Sequence, residues 1–425
     1  MGRHMRDPTP TQFNGIIPSH MNITPKYSPT SDGSGRTILS KAKARLVAGG
    51  DPQDRNIYSR TDITSPRCFV TGLFVNAALV CTEAEDIAVI YVACAYLNAR
   101  MPKNKLKKLV FLGIDSFITP MLLKTVPSLQ PYVSPSGTII VLLNRALYDC
   151  IVSARPWFDE LSDTLRNMGF LPNDCDPCFM TRYCHCVRTT VIIYVDDLMI
   201  TSKESYHIDA DIIALEQKYD KLAVSTGKIH SYKGIVFDFT SDYVTVNQIG
   251  MIQDILKSTR ASLEDYLAPS KISLPLPHRT FADKSSTISS THPKTPAAAY
   301  LLKISPSSPL LHYSLKGIFH STVAKLMFIS NRARQDILIA VSFLAGRVLY
   351  PTEEDWGKSN RVLQYLAGTK LMKLQIVCTY PIQVHTSIDS SSNPILSGKS
   401  RPGGSISLGR GILYSKSTFQ NDKKM

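Results

Sequence analysis

The chain has 425 residues, 44% of them hydrophobic, and its 48 Lys and Arg against 34 Asp and Glu give a net charge of +14 at a pI near 9.3. That length suggests two to four domains with real cores, and the basic excess suits a polyanionic partner, nucleic acid first. The nine cysteines, odd in number and unevenly spaced, do not read as a disulfide framework, and the most apolar window, Cys68–Cys81, is too short and too interrupted by Thr71 and Asn76 to span a bilayer.

No secretory leader pattern opens the sequence, so an intracellular, reducing setting is expected. Met1–Asn14 is polar and reads as a disordered tail, and Ile16–Asp32 is Pro- and Ser-rich, with a turn at Ser31-Asp32-Gly33. In KAKARLVAGG, Lys41–Gly50, a strand would put Lys43, Arg45 and Val47 on one face. Ser65–Cys81 carries Phe69, Leu73, Asn76, Ala77 and Val80 at rough helical spacing, and Pro66 stands at its start, where a missing N–H costs little. IAVIYVACAYLNA, Ile87–Ala99, comes next, and the lysine run Lys103–Lys108 reads either as a solvated face or as a phosphate-backbone contact. Thr138–Leu143 is an expected strand and Pro156–Met168 an expected helix, with Phe158, Leu161, Leu165 and Met168 on one face and Gly169 as the stop.

The densest signal is Thr189–Ser202, TTVIIYVDDLMITS. Its β-branched flanks favour two strands with almost nothing between them, a hairpin whose tip carries Asp196 and Asp197. Two adjacent carboxylates are costly unless a cation neutralises them. Hard divalent cations take carboxylate oxygens and substrate phosphates, and a pair of such ions clamps the attacking and leaving oxygens in phosphoryl transfer. The plainer alternative is an acidic tip facing solvent. Just upstream, Cys175-x-x-Cys178 and Cys184-His185-Cys186 have a compact, zinc-like spacing, against which Tyr183–Val187 reads simply as the turn into the acidic hairpin.

Beyond the hairpin, Tyr206–Leu222 is an amphipathic helix, with Ile208, Ile212, Leu215, Tyr219 and Leu222 on one stripe. Two alternating strands follow, Ile235–Phe239 and Tyr243–Asn247, and Gly250–Thr259 starts another helix. Ser270–His292 is a Ser-, Thr-, Pro- and His-rich linker. Further helices run through FHSTVAKLMF, through the stripe Ile337, Ala340, Val341, Leu344 and Val348, and from Thr352, a plausible N-cap with acids in the following turn.

Taken in order, KARLVAGG, AYLNA, ALY, DPC, YVDD, FHSTVAKL, RQDI and RVLQYLAGT resemble the reverse transcriptase region of copia-type LTR retrotransposon Pol polyproteins, over about Ile16 to Ser417. The resemblance implies an α+β polymerase right hand: fingers, a palm with an antiparallel sheet, a helical thumb and connection, and a truncated RNase H-like stub. The implied division is a tail at 1–14, fingers and palm to the start of the thumb at 15–258, a linker or thumb insertion at 259–294, thumb and connection at 295–380, and the partial RNase H-like domain at 381–425. It implies RNA-directed DNA synthesis with two Mg2+ ions on Asp196 and Asp197, on an RNA or DNA template-primer with dNTPs, away from membranes, in a cytoplasmic virus-like particle or the nucleus. Lys43, Arg45, Tyr96 and Tyr148 fall at its nucleotide-binding positions, Tyr232 and Gly234 at its primer grip, and Asp389 at the first RNase H metal ligand.

The sequence also departs from that pattern. The third metal ligand, an Asp in the family, is Tyr91 here. The nearest acid, Asp86, lies five residues earlier, about 16 Å along a strand and on its other face. Asp149 replaces the Gly of the family's Leu-Tyr-Gly, and Gln335 replaces the Pro of Arg-Pro-Asp-Ile. The RNase H-like segment reaches Met425 before the helix that would bring its Glu, so no RNase H activity is expected. The expectation is a degenerate polymerase, with a catalytically inactive nucleic-acid-binding remnant or a pseudogene product as the alternative.

Overall fold

The computed structural model describes residues 16–29, 37–49, 53, 55–101, 109–220, 222–267, 307–391 and 401–418. The expected tail, the Ser31–Gly33 turn, Lys103–Lys108 and the Ser270–His292 linker lie outside the described residues. The chain forms two compact units whose segments interleave: Met1–Cys68, Ile90–Ile200 and Tyr206–Val224 in the first, Phe69–Val89, Thr201–Ser205 and Ser225–Met425 in the second.

In the first unit, β1 (Ile16–Pro29) and β2 (Thr37–Ala48) pair antiparallel. The label β3 is given to Asp86–Tyr91, and β4 (Phe111–Ile114) lies parallel to β1 and antiparallel to β5 (Ile139–Leu142), in the order β2-β1-β4-β5. Strands β6 (Leu171–Pro172), β7 (Phe179–Cys184), β8 (Val187–Tyr194), β9 (Asp197–Ser202) and β10 (Ala223–Thr226) join β3 in a second sheet, ordered β10-β3-β9-β8-β7-β6. Its middle is dry: Val191, Ile192, Ile193, Leu198, Met199 and Ile200 are buried, so a run without alternation is a strand covered on both faces.

Helices α1 (Arg60–Ile63), α3 (Ala95–Asn98), α4 (Thr119–Thr125), α5 (Ala154–Asn167) and α6 (Ser205–Tyr219) accompany these sheets, and α2 (Val70–Glu83) belongs to the second unit. The stop at Gly169 is met as expected. Its φ is +90°, and the Phe170 N–H reaches back to the Leu165 carbonyl at 3.0 Å, the six-to-one bond that closes a helix end. Two helix bounds differ from expectation. The helix expected from Ser65 begins at Val70, because the Ser65 hydroxyl bonds the Pro66 carbonyl rather than capping a turn, and the first helical bond is Leu73 N–H to Phe69 O. The helix expected through Leu222 ends at Tyr219, where Asp220 turns left-handed at φ +59°, although Leu222 still packs inward.

The second unit holds β11 (Ile229–Tyr232), β12 (Ile235–Phe239), β13 (Val244–Asn247) and β14 (Leu374–Ile376), hydrogen-bonded in that order, and the small antiparallel sheet β15 (His385–Ser391), β16 (Arg401–Ser407) and β17 (Tyr414–Ser417). Its helices are α7 (Ile249–Leu267), α8 (Tyr313–Ser330), α9 (Leu338–Ala345) and α10 (Glu353–Gly368). The expected boundary at 258/259 falls inside α7. Ile252, Phe319, Leu326, Val341, Leu344 and Leu366 form its helical core. Arg334 is buried there, in a bidentate pair with Asp336 at 2.9 and 2.7 Å and bonded to the Thr369 carbonyl at 3.1 Å, while Gln335 donates to the Ile412 carbonyl at 3.2 Å. The loop before β17 runs along the end of β14, with Val377 N–H to Arg410 O at 2.8 Å and Gly411 against the Gln375 carbonyl, where a side chain would collide. No described helix is long and apolar enough to cross a membrane.

Thr352 is the expected N-cap in full. Its hydroxyl accepts from the Asp355 N–H at 3.3 Å, its own N–H donates to the Asp355 carboxylate at 2.9 Å, and Arg347 holds the same carboxylate at 3.1 Å. Thr352→Ala breaks this box and is expected to cost about 1 kcal/mol, read as a lowered urea midpoint at unchanged slope.

Candidate active site at the acidic hairpin

Strand β8 ends at Tyr194 and β9 begins at Asp197, which leaves Val195 and Asp196 as the hairpin tip. Val195 has φ +59°, a left-handed conformation that a β-branched residue adopts only under constraint, at about 1–3 kcal/mol. Two bonds impose it. Trp157 of α5, 1% exposed, donates its indole Nε1–H to the Val195 carbonyl at 2.6 Å, and the Val92 N–H donates to the Asp196 carbonyl at 2.8 Å. Trp157 is held edge-on by Tyr219, whose hydroxyl bonds Thr164 at 2.7 Å. A cavity of about 240 Å³ beneath the tip is lined by Pro66, Tyr96, Trp157, Phe158, Ile193 and Val195.

The Val92 bond places the preceding residue, Tyr91, beside the acidic pair. Burial raises the Tyr91 phenol above its ordinary pKa, and the Asp196 carboxylate adds to the rise. Burial likewise pushes Asp197 up to about 6, with Asp196 contributing. Asp196 is raised by burial against the opposing pull of its own backbone N–H, Lys43 and Arg45. Lys43 Nζ lies 5.8 Å from the centroid of the Tyr91 ring, and Arg45 Cζ lies 5.8 Å from that of Tyr148. Tyr96 meets Tyr148 edge-on at 4.9 Å, and burial pushes Tyr148 up to about 12. Lys43, Arg45, Tyr91, Tyr96, Tyr148, Asp196 and Asp197 thus converge in the first unit.

Asp149 stands at φ +64°, the left-handed conformation that glycine adopts freely and that Asp tolerates better than most residues. With Arg45, Tyr148, Val47 and Met21–Thr24 it lines an open cavity of about 480 Å³. The Tyr148–Asp149 turn is fixed by the Ala48 N–H on the Tyr148 carbonyl at 2.9 Å, and the following loop by Gln53, whose Oε1 accepts the Ile151 N–H at 2.9 Å. Gln53 also bonds Tyr58 and Cys150. The positioning roles of Gln53 and Trp157 had no periodic signal in the sequence; only their place beside recurrent motifs could have marked them.

The remaining candidates belong to the second unit. Tyr232 is 1% exposed, its ring inside the packed sheet, and the Lys233-Gly234 turn, φ +53° and +72°, stands at the surface with the Gly234 carbonyl held by Gln248 at 3.0 Å. Asp389 lies exposed on β15 opposite Gly403. Among the described residues no group of three or more His, Cys, Asp or Glu side chains is placed to hold a metal ion. The acidic tip offers two carboxylates and a phenol whose proton is held more tightly than usual, a donor set that does not fit a pair of divalent cations.

Residues 124–266 match the family model described as reverse transcriptase (RNA-dependent DNA polymerase). The Pol polyproteins of transposons RE2 and RE1 of Arabidopsis thaliana are 22% and 24% identical over 87% of this chain. The chain is thus similar, over residues 124–266, to reverse transcriptases, and over most of its length to retrotransposon Pol polyproteins. It spans 22% of the length of each of those relatives. Among solved structures, telomerase from Candida albicans, determined with a fragment of telomeric RNA, matches 85% of this chain and 68% of that one at 9% identity and a TM-score of 0.29, a level that carries no argument about fold.

Two outcomes are expected of this site. At position 149, stability should fall in the order Gly, Asp, Ala, Val, with about 1 kcal/mol between Gly and Ala, measured by urea denaturation. Because folding raises the Asp197 pKa, its ionised form opposes folding above about pH 6, and that penalty is relieved as the pH falls through 6 toward the unfolded value. Asp197→Asn should therefore raise the melting temperature in EDTA at pH 7.5 and raise it less at pH 5.

Proposed function

We propose that this chain is the reverse transcriptase domain of a copia-type retrotransposon that keeps the polymerase right hand and its affinity for template-primer, with nucleotidyl transfer disabled at residue 91. The single observation that carries this reading is the Val92–Asp196 main-chain bond, which puts a phenol at the acidic tip where the family's third carboxylate belongs. On this reading β1 and β2 are fingers, the sheet containing the acidic hairpin is the palm, the β11–β12 turn is the primer grip, α7–α10 form thumb and connection, and β15–β17 begin an RNase H-like sheet.

In an intact centre two Mg2+ ions would help ionise the primer 3′-hydroxyl and stabilise charge on the leaving pyrophosphate. The chain's own residues support the remaining tasks. Tyr96 and Tyr148 make a wall on which a sugar and base can rest, Lys43 and Arg45 are in reach of phosphates, and Trp157 fixes the tip. The charge of +14 supports binding to RNA or DNA. Asp149 adds a negative charge at the rim of the cavity where a triphosphate would approach, and so works against it. A lost ligand carboxylate removes several kcal/mol of transition-state stabilisation, roughly a thousandfold in rate.

Primer extension on poly(rA) with Mg2+ tests this. The chain as it stands should show no extension above an Asp196→Asn control, and Tyr91→Asp should restore it, most strongly together with Asp149→Gly. Extension by the unaltered chain would overturn the reading; silence of the double variant, with template still retained in filter binding, would move the lesion away from residues 91 and 149.

A further inference from the structure

A carboxylate pair that does not hold two metal ions still needs its charge balanced, and the first unit shows where the balance comes from. Lys43 and Arg45 leave β2 on the same face, two residues apart, opposite Thr24 and Asn22 of β1. Each cation is seated on an aromatic ring, Lys43 on Tyr91 and Arg45 on Tyr148, both at 5.8 Å. Those rings flank the acidic tip, since Tyr91 precedes the residue bonded to the Asp196 carbonyl, and both cations act electrostatically on the Asp196 carboxylate. Tyr91 gives Lys43 a seat beside the acidic pair: an aromatic face attracts an ammonium group and brings no charge of its own. Two cations thus bear on the Asp196 carboxylate, which in turn bears on Asp197.

We propose that Lys43 and Arg45 are built-in counter-cations of Asp196 in the Asp196–Asp197 pair, so that a divalent cation reaches the tip only in competition with them. The cost to such an ion is the repulsion between its two charges and a fixed ammonium group in a partly buried setting, where screening is weak. The inference rests on the reading of this tip as a former metal centre, but its test does not use polymerisation.

The experiment is titration of the full chain with Mn2+ at pH 7.5, following free Mn2+ by its EPR signal. The unaltered chain should bind weakly. Lys43→Met should tighten binding tenfold or more, Arg45→Gln less but in the same direction, and Lys43→Arg should keep the original affinity. The gain in Lys43→Met should vanish when Asp197→Asn is added. In EDTA, Lys43→Met should melt below the unaltered chain, and Mn2+ should narrow that difference. Unchanged Mn2+ affinity in both Lys43→Met and Arg45→Gln would overturn the proposal, and so would a gain that survives Asp197→Asn. Primer extension by the unaltered chain bears on the proposed function alone; Mn2+ affinity decides this inference.

Discussion

One main-chain hydrogen bond, from the Val92 N–H to the Asp196 carbonyl at 2.8 Å, constrains everything at the acidic tip. It fixes the register between β3 and the hairpin, and register decides which side chain meets which charge. With the register fixed, residue 91 is beside the carboxylates whatever its chemistry. The Trp157 indole completes the constraint from the other side by holding the Val195 carbonyl. The tip keeps a strained left-handed residue because it is tied at both ends and its flanking strands are buried. The main-chain bonds that define this geometry do not depend on which side chain stands at residue 91.

The electrostatics follow from the same placement. Burial raises both carboxylates and the three tyrosines around them, and the Asp196 charge adds to the rise at Asp197 and at each tyrosine. The opposing influence comes from β2, through Lys43 and Arg45. Those cations are held over rings rather than paired with carboxylates in direct contact, which leaves them within reach of either the acidic pair or an incoming anion.

Much of this arrangement was legible beforehand. The hairpin announced itself because β-branched flanks and adjacent acids leave few alternatives, and Gly169 and Thr352 marked a helix stop and start through local chemistry that needs no tertiary context. The start of α2 was misplaced because Pro66 is compatible with a helix without compelling one; the extended Phe69 carries the true boundary, and nothing in its side chain says so. Gln53 stands beside the KARLVAGG motif, but its structural role was hidden for a related reason. Its importance lies in one long-range bond to the Ile151 N–H, and a polar residue in a loop has no period to betray it. Gln335 looked like a defect by comparison with Pro, yet it donates to the Ile412 carbonyl, a contact that Pro could not make.

Asp149 carries a lesson about how such a chain changes. The backbone there demands φ +64°, and it keeps that shape with a residue that only tolerates it. A glycine codon becomes an aspartate codon by one base change, and aspartate becomes tyrosine by another, so both departures from the family pattern lie a single mutational step away. The two steps differ in what would notice them. The first meets a turn whose left-handed backbone aspartate tolerates better than most residues, and the second leaves the Val92–Asp196 bond untouched, because that bond is made by main chain alone. Neither side chain, then, is one that the backbone beneath it opposes strongly.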